Sequence, residues 1–165
     1  MFGSLTLERP ASYPLQRNDR FGLSLRMPPS WRASRSFSGR DRLLMQFTSP
    51  ALAAEDDGRT VHAALTLTVE SLPEGSDLES FYTSARERLN PSFDVWRHEP
   101  WGDGYEDLMH TETSMASSRE KRFYHVSKNR GYTLSFVGRD DVFHLVSSWF
   151  DTIAGSLKVG SEVTQ

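Results

Sequence analysis

The sequence predicts an α+β fold: a single antiparallel β-sheet of about six or seven strands, with helices packed on it near 77–89 and 141–157. Three observations predict it. The stretch from Val61 to Val69 alternates apolar and polar residues, which is the period of a strand with one buried face. Two other stretches carry apolar residues at three- and four-residue steps, the period of a helix with one buried stripe. Short turns join the strand candidates between Phe93 and Val137, so that region reads as an antiparallel meander. At 165 residues the chain is taken as one domain over 1–165, with loose ends expected at 1–15 and 160–165.

Taken in order, Leu5-Thr6-Leu7 is a short strand or a frayed end. Phe21, Leu23, Leu25 and Met27 alternate with smaller or polar residues and make a strand, which Pro28-Pro29 stops because proline cannot donate to a ladder. Trp31 is expected to fold back over the sheet edge. Arg32–Asp41, rich in Arg and Ser, reads as a loop, and Leu43–Phe47 as the next strand. A turn region over Ser49–Arg59 contains the acidic run Glu55-Asp56-Asp57, whose spacing lacks the further oxygen ligands of a calcium loop. The Val61–Val69 strand then returns beside Leu43–Phe47 as a hairpin with a long connection.

Ser76-Asp77-Leu78-Glu79 has the form of a capping box and opens the first helix, whose face is Leu78, Phe81, Tyr82, Ala85 and Leu89. Asn90-Pro91 ends it, since the residue before proline disfavours the helical region. Strands are expected at Phe93–His98, Tyr105–Thr113 and Arg122–Ser127. Asn129 and Gly131 supply positive φ in the turn before the Tyr132–Phe136 strand. Asp140 or Asp141 caps the last helix, whose stripe is Val142, Leu145, Val146, Trp149, Ile153 and Leu157.

Composition removes several function classes. There is no cysteine, so disulfides, thiolate nucleophiles and thiolate metal sites are absent. No apolar run approaches the ~20 residues of a membrane span, and no apolar leader opens the chain, so the cytoplasm is the expected compartment. Net charge is −3 but uneven. Residues 1–50 carry eight arginines against three acids, leaving +5, and residues 51–165 carry eleven bases against nineteen acids, leaving −8. A basic front half could meet an acidic partner.

No catalytic signature is present. The histidines His62, His98, His110, His125 and His144 form neither H-x-x-x-H nor H-E-x-x-H, and there is no G-x-S-x-G elbow or phosphate-cradling G-K-[ST]. His110 and Glu112, two apart on a strand, read as a solvent-facing pair rather than a metal site. Arg119-Glu120-Lys121-Arg122 reads as decoration on a hairpin turn. No catalytic, metal or cofactor residues are assigned. Trp31, Trp96, Trp101 and Tyr105 are the candidate partner-binding residues, because aromatics near turns anchor partners. Their neighbours Asp94, Glu99, Asp103, Glu106 and Asp107 are acidic, which argues against nucleic acid.

The order of elements resembles the PsbP-like superfamily. Three pieces carry the likeness: the run from Phe21 through Met27-Pro28-Pro29-Ser30 to Trp31; Leu65–Leu72 followed by Pro73-Glu74-Gly75 and the 77–89 helix; and the closing strand with the Phe143–Leu157 helix. Together they cover about 21–158. The resemblance implies an antiparallel sheet with helices on its faces. It also implies binding rather than catalysis, since members include photosystem subunits, a Ran-binding import factor and Eag-type chaperones of secretion effectors. The expected role is a non-enzymatic adaptor or chaperone-like domain that docks a protein through a sheet face or edge. The alternative is a small-molecule or metal-binding accessory protein with a pocket between sheet and helix.

Overall fold

The computed structural model describes residues 13–53, 58–113 and 116–160. The Leu5-Thr6-Leu7 segment, the acidic run at 55–57 and the outer parts of both termini lie outside these residues. In chain order the elements are β1 (Leu15–Asn18), β2 (Leu23–Arg26), β3 (Arg32–Ser38), β4 (Arg42–Thr48), β5 (Leu52–Ala53), β6 (Thr60–Val61), β7 (Ala64–Ser71), α1 (Leu78–Glu87), β8 (Phe93–Trp101), β9 (Gly104–Glu112), β10 (Ser117–Ser127), β11 (Arg130–Arg139), α2 (Asp140–Gly155) and β12 (Lys158–Val159). Seven strands form one antiparallel sheet in the order β3-β4-β7-β11-β10-β9-β8. β1, β2 and β12 form a small second sheet, and β5 pairs with β6.

Side-chain parity decides what each face of the large sheet meets. Leu43 and Phe47 of β4, Leu65, Leu67 and Val69 of β7, and Tyr132, Leu134 and Phe136 of β11 share one face through their pairing, and all are buried. α2 covers that face with Val142, Val146, Trp149, Phe150 and Ile153. Phe21, Leu23, Leu25 and Met27 on and beside β2 complete the same core. Each large side chain buried here is worth about 1.5–3 kcal/mol relative to exposure. That exceeds any difference in helix propensity, so packing holds α2 in place.

α1 lies on the opposite face. Its Phe81, Tyr82 and Ala85 pack with Tyr124 in a separate, smaller cluster. Gly131 is what lets it approach, because a Cβ there would sit 2.4 Å from the Phe81 ring. The expected positive φ is found at Asn129, at 61°, while its neighbour Lys128, at 51°, takes the place expected of Gly131. They are the two central residues of the β10–β11 hairpin, and that turn type needs left-handed backbone at both.

Other local expectations shift for identifiable reasons. The helix cap is Asp77, whose carboxylate accepts from the Ser80 amide at 2.8 Å while the Ser80 hydroxyl accepts from the Asp77 amide. Ser76 instead donates its hydroxyl to the Pro73 carbonyl. The bonds with Ser80, the backbone one first, hold the Asp77 carboxyl below its ordinary pKa. Neither Asp140 nor Asp141 caps α2; Arg139 occupies the cap position without a side-chain bond, and both aspartates lie in the first helical turn.

Arg32–Ser38, read as a loop, is an edge strand, and Trp31 lies in the core against α2 rather than over an edge. The Arg119–Arg122 cluster decorates no turn. It sits inside β10, where alternation sends Arg119 and Lys121 toward α2 and Glu120 and Arg122 to the other face. Lys121 is buried with its ammonium 2.6 Å from Asp151, and Glu120 is buried against Ser135 and Arg122. At the ends, Tyr13 is buried, Leu15 opens β1, and the Gly160 amide donates to the Gly22 carbonyl, so these residues are held rather than loose. Among the described residues no helix is long and apolar enough to cross a membrane.

Candidate functional site

The two edges of the large sheet differ in what they offer. β3 is exposed at all seven positions, and among the described residues no strand pairs with its outer side. Its register on β4 shifts between Ala33 and Arg35, so one extra residue is accommodated there. The pairs Arg32–Thr48, Arg35–Gln46 and Phe37–Leu44 then place Arg32, Arg35 and Phe37 on one face, the face away from α2. Phe37 is 57% exposed, a large apolar surface beside two cations. No acid stands in β3, and Arg40, Asp41 and Arg42 follow it.

The opposite edge, β8, is blunted. It carries Pro100, a register shift between Val95 and Arg97, and charges of both signs that pair locally. Arg97 lies 3.4 Å from Glu99 and 3.3 Å from Glu106. Such devices discourage strand addition.

The four aromatics singled out from sequence do not converge. Trp31 is buried, edge-on to Trp149 at 5.8 Å and Phe150 at 6.3 Å. Trp101 is half-buried and packs on Phe123, and Tyr105 is half-buried beside Tyr82 under α1. Trp96 alone keeps half its surface in solvent. It stacks on His110 at 4.3 Å with the Arg119 guanidinium over its ring. His110 does not pair with Glu112: its Nε2 meets Asp140 at 3.0 Å, and the other oxygen of Asp140 accepts from Arg119 at 2.9 Å.

A polar cluster fastens α1. Asp107, fully buried on β9, accepts from the Tyr82 hydroxyl at 2.9 Å and from His98 Nδ1 at 2.5 Å. Arg86 donates to the Tyr82 oxygen at 2.6 Å. Burial, reinforced by the Asp107 bond, pushes the Tyr82 phenol up to about 12, and burial does the same for Tyr124. These phenols stay protonated at neutral pH, so Tyr82 acts as a donor that ties helix to sheet. Among the described residues no serine or threonine hydroxyl bonds to His98, and no three His, Asp or Glu side chains gather as a metal set.

Burial holds the His125 ring below its ordinary 6.5, with Asp103 pulling weakly the other way. The unfolded chain therefore takes up a proton as pH falls through 6.5, while the folded chain takes it up only at lower pH. Stability rises with pH across that interval and is flat above it. His125→Gln is expected to remove this part of the acid-side slope, read as thermal midpoints between about pH 5 and about pH 7. An unchanged slope would show that His125 is solvated.

Sequence reading took 32–41 for a loop and so missed that Arg32, Arg35 and Phe37 share one face of a strand, because β3 has no apolar face to alternate. The lone Phe37 amid Arg and Ser was the available signal.

Comparison with known proteins then places the architecture. No family model and no curated protein matches the sequence. Among solved structures, the chain is similar to cyanobacterial PsbP (CyanoP) from Synechocystis sp. PCC 6803. That match has a TM-score of 0.58 and 12% identity over 97% of this chain and 98% of that one. It is also similar to the Saccharomyces cerevisiae Ran-binding protein Mog1p, with a TM-score of 0.56 and 9% identity over 90% of this chain and 96% of that one. LpqN of Mycobacterium tuberculosis, involved in cell envelope biogenesis, matches with a TM-score of 0.54 and 12% identity over 84% of this chain and 83% of that one. The chain has the PsbP-like fold.

Proposed function

We propose that the protein is a non-catalytic docking domain that takes an extended, acidic segment of another protein as an additional strand along β3. One observation carries this reading: a seven-residue edge strand, exposed throughout, whose charged residues are all arginine. An edge strand presents unpaired backbone donors and acceptors, so main-chain bonds supply affinity and alternate side chains supply selectivity. The shared face of Arg32, Arg35 and Phe37 sets the pattern. A partner strand would place an apolar residue against Phe37 and acids, at alternate positions, against the two arginines. The fold supports the reading, since it also occurs in a solved protein described as Ran-binding. Of the four aromatics named from sequence, Trp96 is the one with enough exposed surface to add a contact at the far edge, while Trp31, Trp101 and Tyr105 support the frame.

The test uses a peptide about as long as β3, with valine and two glutamates at alternate positions and threonine between them. Titrated into the whole chain, it is expected to shift the amide resonances of β3 and β4 and to bind more weakly as salt rises. A matching lysine peptide should fail to bind, and Arg35→Glu should reverse the preference. Equal response to both peptides, or shifts confined to other strands, would remove β3 as the docking edge and leave its arginines as guards against aggregation.

A further inference from the structure

A second feature lies at the end of the sheet where the β1–β2 and β10–β11 turns meet. An open cavity of about 290 Å³ is lined by Asp19, Arg20, Phe21, Lys128, Arg130 and Tyr132, together with Ser127 and two glycines. Three cations therefore face one small space. Arg20 donates to the Arg40 carbonyl and Arg130 to the Arg20 carbonyl, both at 3.4 Å, and these bonds cancel no charge. Among the described residues, none of the three has a carboxylate within ion-pair distance. The nearest acid in the lining, Asp19, pairs with Arg17 at 3.7 Å. The two guanidiniums also lie over the Phe21 ring, at 5.9 and 5.0 Å, so one aromatic ring gathers both charges beside the cavity. The Lys128 backbone is held by its turn, with φ at 51°.

We infer that this cavity is a binding site for a small phosphate-bearing ligand. Three cations beside one carboxylate, itself paired with Arg17, leave a positive excess in this space, and an anion placed among them turns their repulsion into attraction. A phosphate offers several oxygens, which suits two guanidinium forks and one ammonium better than a single carboxylate would. The volume is at the lower end of small-molecule sites, so it admits a phosphate with a modest organic part. Ser127 and Tyr132 also line the cavity, and the Tyr132 hydroxyl donates to the Phe21 carbonyl at 3.3 Å, which ties the two lining residues together. The site is separate from the β3 edge and does not depend on how that edge is used.

The test is titration of the whole chain with inorganic phosphate and with phenyl phosphate, at constant ionic strength set by chloride. Saturable shifts are expected in the amide resonances of Gly22, Ser127, Lys128 and Arg130, together with a rise in thermal midpoint. Lys128→Asn keeps a residue suited to positive φ, and Arg130→Gln keeps the strand. Each is expected to weaken phosphate binding about tenfold while leaving the far-ultraviolet circular dichroism unchanged. Non-saturating shifts, shifts spread over all exposed arginines, or affinity unchanged in both variants would overturn the assignment. Because wild-type shifts need no variant, loss of folding in one substitution cannot mimic a negative result. If only phenyl phosphate saturates, the organic part contributes to recognition; if both saturate alike, the phosphate alone defines the site, and either outcome supports it.

Discussion

Replacing Trp31 with alanine is expected to lower the folding free energy by about 3–5 kcal/mol, the range for removing a large buried aromatic. The indole is only 5% exposed and stands edge-on to both Trp149 and Phe150. It is the residue immediately before β3, so it is the peg by which that edge strand is attached to α2. The cavity left behind borders residues fixed by the sheet, which limits collapse. Trp31→Phe should lose less, because a phenyl ring keeps part of the edge contact. It also discards an indole N–H that is buried without an acceptor among the described residues. Denaturant unfolding measures both, with the midpoint moving and the slope preserved if only stability changes. A loss below about 1 kcal/mol for the alanine variant would mean that Trp31 is not a core residue. Weaker docking of the acidic peptide is expected to accompany the alanine change, since β3 loses its anchor.

Gly104→Ala is the second substitution expected to be severe, at about 3 kcal/mol or more. The reason is space rather than backbone conformation. A Cβ at Gly104 would lie 2.0 Å from the Tyr124 carbonyl oxygen, and Tyr124 lies inside the β10–β11 ladder on a strand paired on both sides. Flexible side chains can swing away from an added methyl, but a backbone carbonyl inside a sheet cannot do so without moving its strand. The displacement would fall where Tyr105 and Asp107 hold α1, so amide exchange in α1 should rise before global unfolding. Gly155→Ala is the comparison. It lies at the end of α2 with open space around it, and alanine there should be neutral or stabilising by about 0.5–1 kcal/mol. Similar effects at the two glycines would show that crowding at Tyr124 is not what matters.

The regular parts of this fold were legible wherever one face is buried and the other is not. β7 shows it most plainly, since Leu65, Leu67 and Val69 are buried and the residues between them are not. The stripe of α2 was equally readable, because a buried helix face leaves its period in the sequence. β3 was not legible, because an edge strand exposed on both sides has no periodic requirement to record. Glu120 and Lys121 were misread for a related reason. Charge usually marks surface, and their burial becomes tolerable only through Ser135, Arg122, Asp151 and Glu106, residues distant in sequence. The aromatics carry the same lesson in reverse: Trp31 and Trp96 look alike in a chain of letters, yet one is core and the other keeps half its surface in solvent.

By itself, then, the sequence determined the class of fold, the two helices, the meander from β8 to β11, and the absence of thiol chemistry, because periodicity, turn residues and composition are local properties. Only the tertiary structure decided which edge of the sheet stays open, that Asp107 draws Tyr82 and His98 together beneath α1, and that Arg20, Lys128 and Arg130 share one cavity. Those facts depend on strand order and register, which bring residues more than 100 positions apart into contact, and no local pattern encodes them.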